Sequence, residues 1–342
     1  MGRCVEIVQP GLLTTVQDAG RSGFEAVGVP PGGAMDLHSY YLANLLVGNS
    51  PEQAALEFTL TGPTVFFPEG GLIAITGAPF ECQMDGEPLP LWTALSVPPG
   101  RVINIGSAAS GLRGYLAVSG GFDLRPVMAS RSTLLRAGLG GLEGRAVRAG
   151  DILLLGDTGT GVVGETVPNE LRLRIGEPLR VVLGPQDDYF DPDSIEALLS
   201  SSYLVRPESD RMGIRLAGRP LTVIGPSLIS DGTVPGAIQV PADGQPIILG
   251  ADGQTTGGYP KIATVISADL PLVGQLRPGD QLAFGAVGVV EARQAATEQW
   301  CRLRLWAQRR LVARRRQVRL WGSMRVEGHW HRVTVEEETG KA

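Results

Sequence analysis

Forty-seven glycines and 25 prolines make up about a fifth of this 342-residue chain, and that punctuation limits what it can fold into. Between the breaks lie short β-rich runs, at Gly71 to Thr76, Leu95 to Val97, Val102 to Ile105, Tyr115 to Val118 and Ile152 to Leu155. Short runs set apart by turn residues are the texture of barrels or sandwiches. Helical patterns are few. Asp36 is placed to cap Leu37 to Leu46 with Gly48 as the stop, Asp193 to cap Ser194 to Leu199, and Glu291 to Gln308 reads as a longer amphipathic helix. The chain is therefore expected to be mainly β with a few short helices.

A weak internal echo points to two related halves. Arg148-Ala149-Gly150-Asp151 followed by Ile152 to Gly156 matches Arg277-Pro278-Gly279-Asp280 followed by Gln281 to Gly285, a turn and then a buried strand. Leu60 to Val65 and Leu216 to Val223 form a second match, in the same order in both halves. Common turn chemistry also generates such matches. The length fits about two domains, and 43% hydrophobic residues are ample for two cores. The boundaries expected are 1–165, 166–295 and a C-terminal extension, 296–342.

That extension differs in charge. From Trp300 onward eleven basic residues face four glutamates, a net +7, which leaves −12 on residues 1–299 of a chain whose total is −5. Trp300, Leu303, Trp306, Ala307 and Leu311 fall near one helical face, so a peripheral packing element is favoured over nucleic-acid binding. The N-terminus, Met1 to Glu6, lacks the apolar core of a signal peptide and the Ser or Thr of a myristoylation signal. No run reaches the roughly 18 apolar residues of a membrane span, and a soluble, cytoplasmic chain is expected.

Cys4, Cys82 and Cys301 form no CxxC pair and are read as reduced, buried small hydrophobes. His38, His329 and His331 give no metal spacing and no Ser-His-Asp set, so no metal site is expected. Chemistry then rests on carboxylates, tyrosine, lysine, arginine, amides and backbone N–H groups. Neither lysine lies in a Walker loop or a Met-flanked biotin site.

Those lysines are themselves informative. Of 30 basic residues 28 are arginine, and of the two lysines, Lys261 and Lys341, only Lys261 lies in the body. It closes ADGQTTGGYPK, Ala251 to Lys261, where glycines permit close backbone approach and Asp252, Gln254, Thr255, Thr256 and Tyr259 carry hydrogen-bonding groups. Such a segment can cradle a small polar ligand, although a coding bias toward arginine would also leave one lysine by chance. Two further segments stand out. Pro10 to Asp36 places Arg21, Gly32 and Gly33 ahead of the capped helix, where free N–H groups can meet an anion. Arg206 to Gly218 holds the Asp210-Arg211 pair beside an apolar strand, either a salt-bridged pair or a carboxylate-binding arginine. The stretch from Ser230 to Asp280 adds strands at Ala237 to Val240, Pro246 to Leu249 and Ala263 to Ser267. Their loops hold Gln239, Asp243, Gln245, Gln254 and Tyr259, and Asp243-Gly244 and Asp252-Gly253 are ordinary turn dipeptides.

These segments, in this order, resemble the biotin-dependent carboxyltransferase-like family that includes the C subunit of 5-oxoprolinase (PxpC), the KipI antagonist KipA, and the second carboxyltransferase half of urea amidolyase, also called allophanate hydrolase subunit 2. The markers are PGLLTTVQDAGRSGF, GGAMD, LANLLVGN, ALEFTLTGP, SDRMGIRL, GAIQVPADGQPIIL and QTTGGYPKIATVISADL, across about residues 5–295. The resemblance implies two cyclophilin-like β-barrel domains with a cleft between them and PxpB/KipI-like and PxpA-like partner subunits. It further implies the ATP- and magnesium-dependent opening of 5-oxoproline to glutamate, with no covalent biotin on this chain. Carboxyl transfer from carboxybiotin on a separate carrier to urea or a related amide, and KipA-like binding of a kinase inhibitor, are the alternatives. The residues expected at the site are Lys261, Tyr259, Arg211 and Asp210 for chemistry, with Arg21, Gly32, Gly33, Gln239, Gln254, Thr255, Gly257 and Gly258 around the substrate.

Overall fold

In the computed structural model, which describes residues 2–173, 176–226, 228–316, 320–326 and 329–335, the short apolar runs form strands and the glycines turn the chain between them. The first half contains β1 (Cys4–Gln9), β2 (Leu13–Gln17), α1 (Leu37–Leu46), β3 (Ala55–Thr59), β4 (Thr64–Phe67), β5 (Gly71–Gly77), β6 (Phe80–Met84), β7 (Glu87–Pro88), β8 (Ala94–Val97), β9 (Arg101–Ala108), β10 (Arg113–Val118) and β11 (Ile152–Leu154). They make a six-stranded sheet, β11-β1-β4-β9-β6-β7, and a five-stranded one, β2-β3-β10-β5-β8. Val5, Ile7 and Val65 of the first sheet and Leu56, Phe58 and Leu116 of the second belong to one buried apolar cluster. Alternation along β4 and β9 turns one set of side chains inward and the other toward water. The Asp36 carboxylate accepts the Ser39 N–H at the start of α1, as the sequence predicts, and Gly48 beyond its end sits at φ 76°.

The second half contains β12 (Leu179–Leu183), α2 (Pro192–Ser200), β13 (Tyr203–Val205), β14 (Gly213–Ala217), β15 (Asp231–Gly232), β16 (Ala237–Gln239), β17 (Ile247–Leu249), β18 (Thr256–Gly257), β19 (Lys261–Val265), α3 (Leu270–Val273), β20 (Gln281–Leu282) and β21 (Phe284–Ala286). Eight of the strands form one sheet, β20-β13-β14-β17-β16-β19-β12-β21. Its two outermost strands follow each other in sequence with Ala283 alone between them, so the sheet curls into a nearly closed barrel. A second apolar cluster fills it, with Val181, Tyr203, Ile214, Ile238 and Ile262 among its members. The cap of α2 is Asp191, not Asp193 as the sequence pattern suggests; Pro192 takes the first helical position, where its missing N–H costs nothing.

The echo between halves has a common geometry. In each copy the glycine has positive φ, at Gly150 and Gly279, and the aspartate accepts the N–H of the arginine three residues back, at 2.6 Å for Asp151 and 2.9 Å for Asp280. Each turn then docks on a strand by the same pair of bonds, Ile7 N–H to Asp151 O with Gly150 N–H to Ile7 O, and Val205 N–H to Asp280 O with Gly279 N–H to Val205 O.

Both halves lie in one compact unit, Met1–Arg293, and a seam of buried polar groups joins them. Glu57 on β3, 2% exposed, accepts from Met35 N–H at 2.8 Å, the Tyr115 hydroxyl at 2.7 Å and Arg211 Nη1 at 2.5 Å. Arg211 also grips Asp252 at 2.8 and 2.9 Å and the Gly33 carbonyl at 2.6 Å. Burial alone would pull the Arg211 pKa down, yet Glu57 and Asp252 together hold it above the ordinary arginine value. Arg113 donates to the Gly274 carbonyl, and Gln275 meets Asp36 and both Leu112 and Arg113. Gly274 is required here, because a Cβ would stand 2.6 Å from the Met35 carbonyl oxygen.

The second unit, Gln294–Ala342, contains most of α4 (Val289–Arg316) and the antiparallel hairpin of β22 (Leu320–Val326) and β23 (His329–Val335). On α4 Leu303 is buried, Trp300 is 46% exposed and the Arg310 guanidinium lies 4.6 Å from the Trp306 ring centroid. The side chain of Leu311 and the whole of Lys341 lie outside the described residues. Of the cysteines only Cys82 is buried, where burial pushes its thiol up to about 12; Cys4 is half-buried and Cys301 is exposed, contrary to the expectation for all three. No described helix is long and apolar enough to cross a membrane.

Candidate active-site cavity

A cavity of about 360 Å³ opens on the second half, over β14, β16 and β17, a size in the ~300–1,000 Å³ range of small-molecule sites. Four of the expected site residues line it, Asp210, Gln239, Gln254 and Tyr259, together with Asp243 and Gln245, which the sequence places in the same loops. They come from three separate segments. Asp210 sits in the β13–β14 connection, where its Oδ1 accepts from Met212 N–H and Gly213 N–H and thereby shapes the turn. Gln239 ends β16, Gln254 belongs to the glycine-rich loop, and Tyr259, 48% exposed, stands just before β19.

The two glutamines form a carboxamide pair, with Gln254 Nε2 donating to Gln239 Oε1 at 2.9 Å. Gln239 is only 1% exposed, and its Nε2 has no hydrogen-bond partner among the described residues. A buried amide donor left without a partner costs about 1–3 kcal/mol, and of the described residues with such an unpartnered buried side-chain atom Gln239 is the one that lines the cavity. Gly257 makes room for the pair: a Cβ there would lie 2.4 Å from Gln239 Nε2 and 3.2 Å from Gln254 Nε2.

Charged groups complete the lining, Arg136, Arg206 and Arg215 against Glu208, Asp210 and Asp243. Arg136 comes from the first half, and its Nη1 rests 3.2 Å from the Met212 sulfur. Glu208 is held below the usual carboxylate range, first by its own backbone N–H and then by Arg206. With three cations facing three anions, the cavity suits a small molecule of mixed polarity.

The other predicted residues fall in two places. Lys261 is the cross-strand partner of Gln239, but it is 2% exposed and its amine is engaged by Asp231 at 2.8 Å and the Gly232 carbonyl at 3.1 Å. Thr255 accepts the Thr233 N–H through its carbonyl, and Gly258 lies in the loop between β18 and β19, near Ser230. Arg21, Gly32, Gly33 and Arg211 do not reach the cavity; they cluster in the interior around Asp252 and Ser132. Asp210 and Arg211 are not a pair, because adjacent residues of the turn point opposite ways, one outward and one into the seam. Arg21, 1% exposed, spends one nitrogen on the Ser132 carbonyl, and burial lowers its pKa.

Sequence reasoning misses the cavity arginines and the central acid of the seam. Arg206 stands three residues ahead of the SDRMGIRL motif and Arg215 is within it, and Asp243 reads as a turn residue. Glu57 lies inside the ALEFTLTGP marker, which does not show what it pairs with, and Arg136 carries no local signal; only tertiary packing brings the two to their partners.

Two β cores joined by a buried ionic seam, with a small polar cavity on the second, define a mainly β protein with a nearly closed barrel sheet and a candidate small-molecule site. The sequence matches the carboxyltransferase domain family, subdomains A and B, over residues 27–286, and the chain belongs to that family. It is 40% identical over 298 residues to the C subunit of 5-oxoprolinase from Escherichia coli (strain K12), covering 86% of this chain and 95% of that one. It is 35% identical over 316 residues to urea amidolyase of Saccharomyces cerevisiae, covering 86% of this chain and 17% of that one. The solved K. lactis urea amidolyase superposes with a TM-score of 0.82 at 31% identity, over 86% of this chain and 19% of that one.

Proposed function

We propose that this chain is the C subunit of an ATP-dependent 5-oxoprolinase, which opens the lactam of 5-oxoproline to glutamate together with PxpA-like and PxpB-like subunits. The observation that carries the reading is the Gln239–Gln254 pair with its spare Nε2 donor, set in a cavity that also offers guanidinium groups. A lactam and a carboxylate are the two groups of 5-oxoproline that such a lining complements. Similarity to the Escherichia coli C subunit along 95% of that protein supports it.

In this reading Gln239 Nε2 donates to the lactam oxygen, one of Arg136, Arg206 and Arg215 pairs with the carboxylate, and Tyr259 screens the open side. A donor aimed where negative charge develops on the oxygen is a large catalytic term when it is preorganised, and Gln254 fixes Gln239 in place. A resonance-stabilised amide needs the activation that ATP supplies. A triphosphate does not match a lining of balanced charge, so the nucleotide and its magnesium belong elsewhere in the assembly, and no step here runs through them.

The second reading is a carboxyltransferase acting on urea or a related amide with a biotin carrier in trans, favoured by the likeness to urea amidolyase. The test is the chain co-purified with its partner subunits and assayed for 5-oxoproline-dependent ADP and glutamate. Turnover that falls about 100- to 1,000-fold in Gln239→Ala is expected. A complete folded complex inert toward 5-oxoproline, or active only with urea and a biotin carrier, overturns the first reading.

A further inference from the structure

We infer that Lys261 is a positioning residue, a clamp that sets the Gln239–Gln254 pair through the β15–β18 ribbon; the inference deepens the 5-oxoprolinase reading and its kinetic arm rests on it. The ribbon pairs only Asp231 with Gly257 and Gly232 with Thr256, and it joins no other sheet among the described residues. Two-stranded ribbons are marginal by themselves, and this one has little apolar footing, with Ile229 88% and Val234 56% exposed on either side.

What holds it is polar. The Lys261 amine reaches out of the barrel wall to the Asp231 carboxylate at 2.8 Å and the Gly232 carbonyl at 3.1 Å. Gln186 doubles the grip, accepting Lys261 N–H at 3.1 Å and donating to Asp231 at 3.2 Å. The next residue carries the constraint onward: Thr233 donates its N–H to the Thr255 carbonyl and its hydroxyl to the Gln254 carbonyl. Gln254 in turn bonds Gln239 Oε1, which aims the remaining Nε2. Lys261, already the cross-strand partner of Gln239, is thus linked to it a second time, through three hydrogen bonds and the Gly232–Thr233 peptide, with its amine engaged inside the protein.

The test uses the assembled enzyme, and for the isolated chain nitrogen-15-labelled glutamine, whose side-chain NH₂ resonances report on residues 239 and 254 directly. Lys261→Met and Asp231→Ala are each expected to shift both resonances and to raise KM for 5-oxoproline about 10- to 100-fold, with a smaller fall in kcat. The double variant is expected to be no worse than either alone, and Lys261→Arg to recover most of the loss. Asp231 is 54% exposed, so its alanine variant remains informative even where the lysine variant fails to fold. Unmoved glutamine resonances and an unchanged KM in Asp231→Ala overturn the clamp, as does a Lys261→Arg enzyme with no turnover and undisturbed resonances. If the wild-type complex ignores 5-oxoproline, the functional reading falls alone and the resonances still decide the clamp.

Discussion

Two polar regions of this protein are built from the same residue types and do opposite things. In the seam between the halves, Arg211, Glu57, Asp252 and Gln275 are each less than 10% exposed and each carries several short bonds. In the cavity, Arg215, Glu208, Asp210 and Tyr259 are exposed, and the one deeply buried polar side chain of the lining, Gln239, has a donor to spare. An unpartnered donor beside open space separates the two: Arg113 Nε in the seam and Arg21 Nε and Nη1 next to it also lack hydrogen-bond partners but lie outside this cavity, whereas Gln239 lines it. The seam's many short bonds fix one half against the other even though Arg113 Nε there lacks a hydrogen-bond partner, and the cavity's incomplete pairing leaves capacity for a small molecule.

The comparison breaks most visibly at the seam. Arg211→Met strips Asp252 of its bidentate cation and leaves Glu57 with only Arg113, at 3.6 Å, as a cation, and chemical denaturation is expected to show a loss of about 3–5 kcal/mol. A smaller loss would mean that the seam is not the joint it resembles. At the cavity the signature reverses. Gly257→Ala drives a methyl into the carboxamide pair, so turnover by the complex is expected to fall about 10- to 100-fold while the denaturation midpoint moves little. The smallest effect belongs to a pair that is neither buried nor spare: Arg101 and Asp85, 53% and 41% exposed and 2.9 Å apart. Asp85→Asn is expected to cost less than about 1 kcal/mol, with the difference fading at high salt and kinetics unchanged.

Much of the fold is legible in the sequence because its signals are local. Glycine at positive φ, as in the Arg-x-Gly-Asp turns, and an aspartate ahead of an apolar run, as at Asp36, act over three or four residues. Even there, choosing Asp193 over Asp191 neglects the stronger cue of Pro192. The site is legible only in part. Gln239, Gln254 and Tyr259 lie within one motif-rich stretch, and amides in glycine-rich loops announce themselves. The direction of Arg211 is not readable, because a turn sends neighbouring side chains to opposite sides and nothing in the sequence says which side holds Glu57, 154 residues away. Arg136 is hidden for the same reason: it reaches the cavity from the other half of the molecule.

The single residue between β20 and β21 has a further consequence. Ala283 is where the chain steps across from one rim of the cylinder to the other, so its length acts as the hoop that keeps the staves in register. One residue added there would relax the circumference and draw apart two strand borders that already carry no ladder to each other, offering a neighbouring copy a place to stitch on.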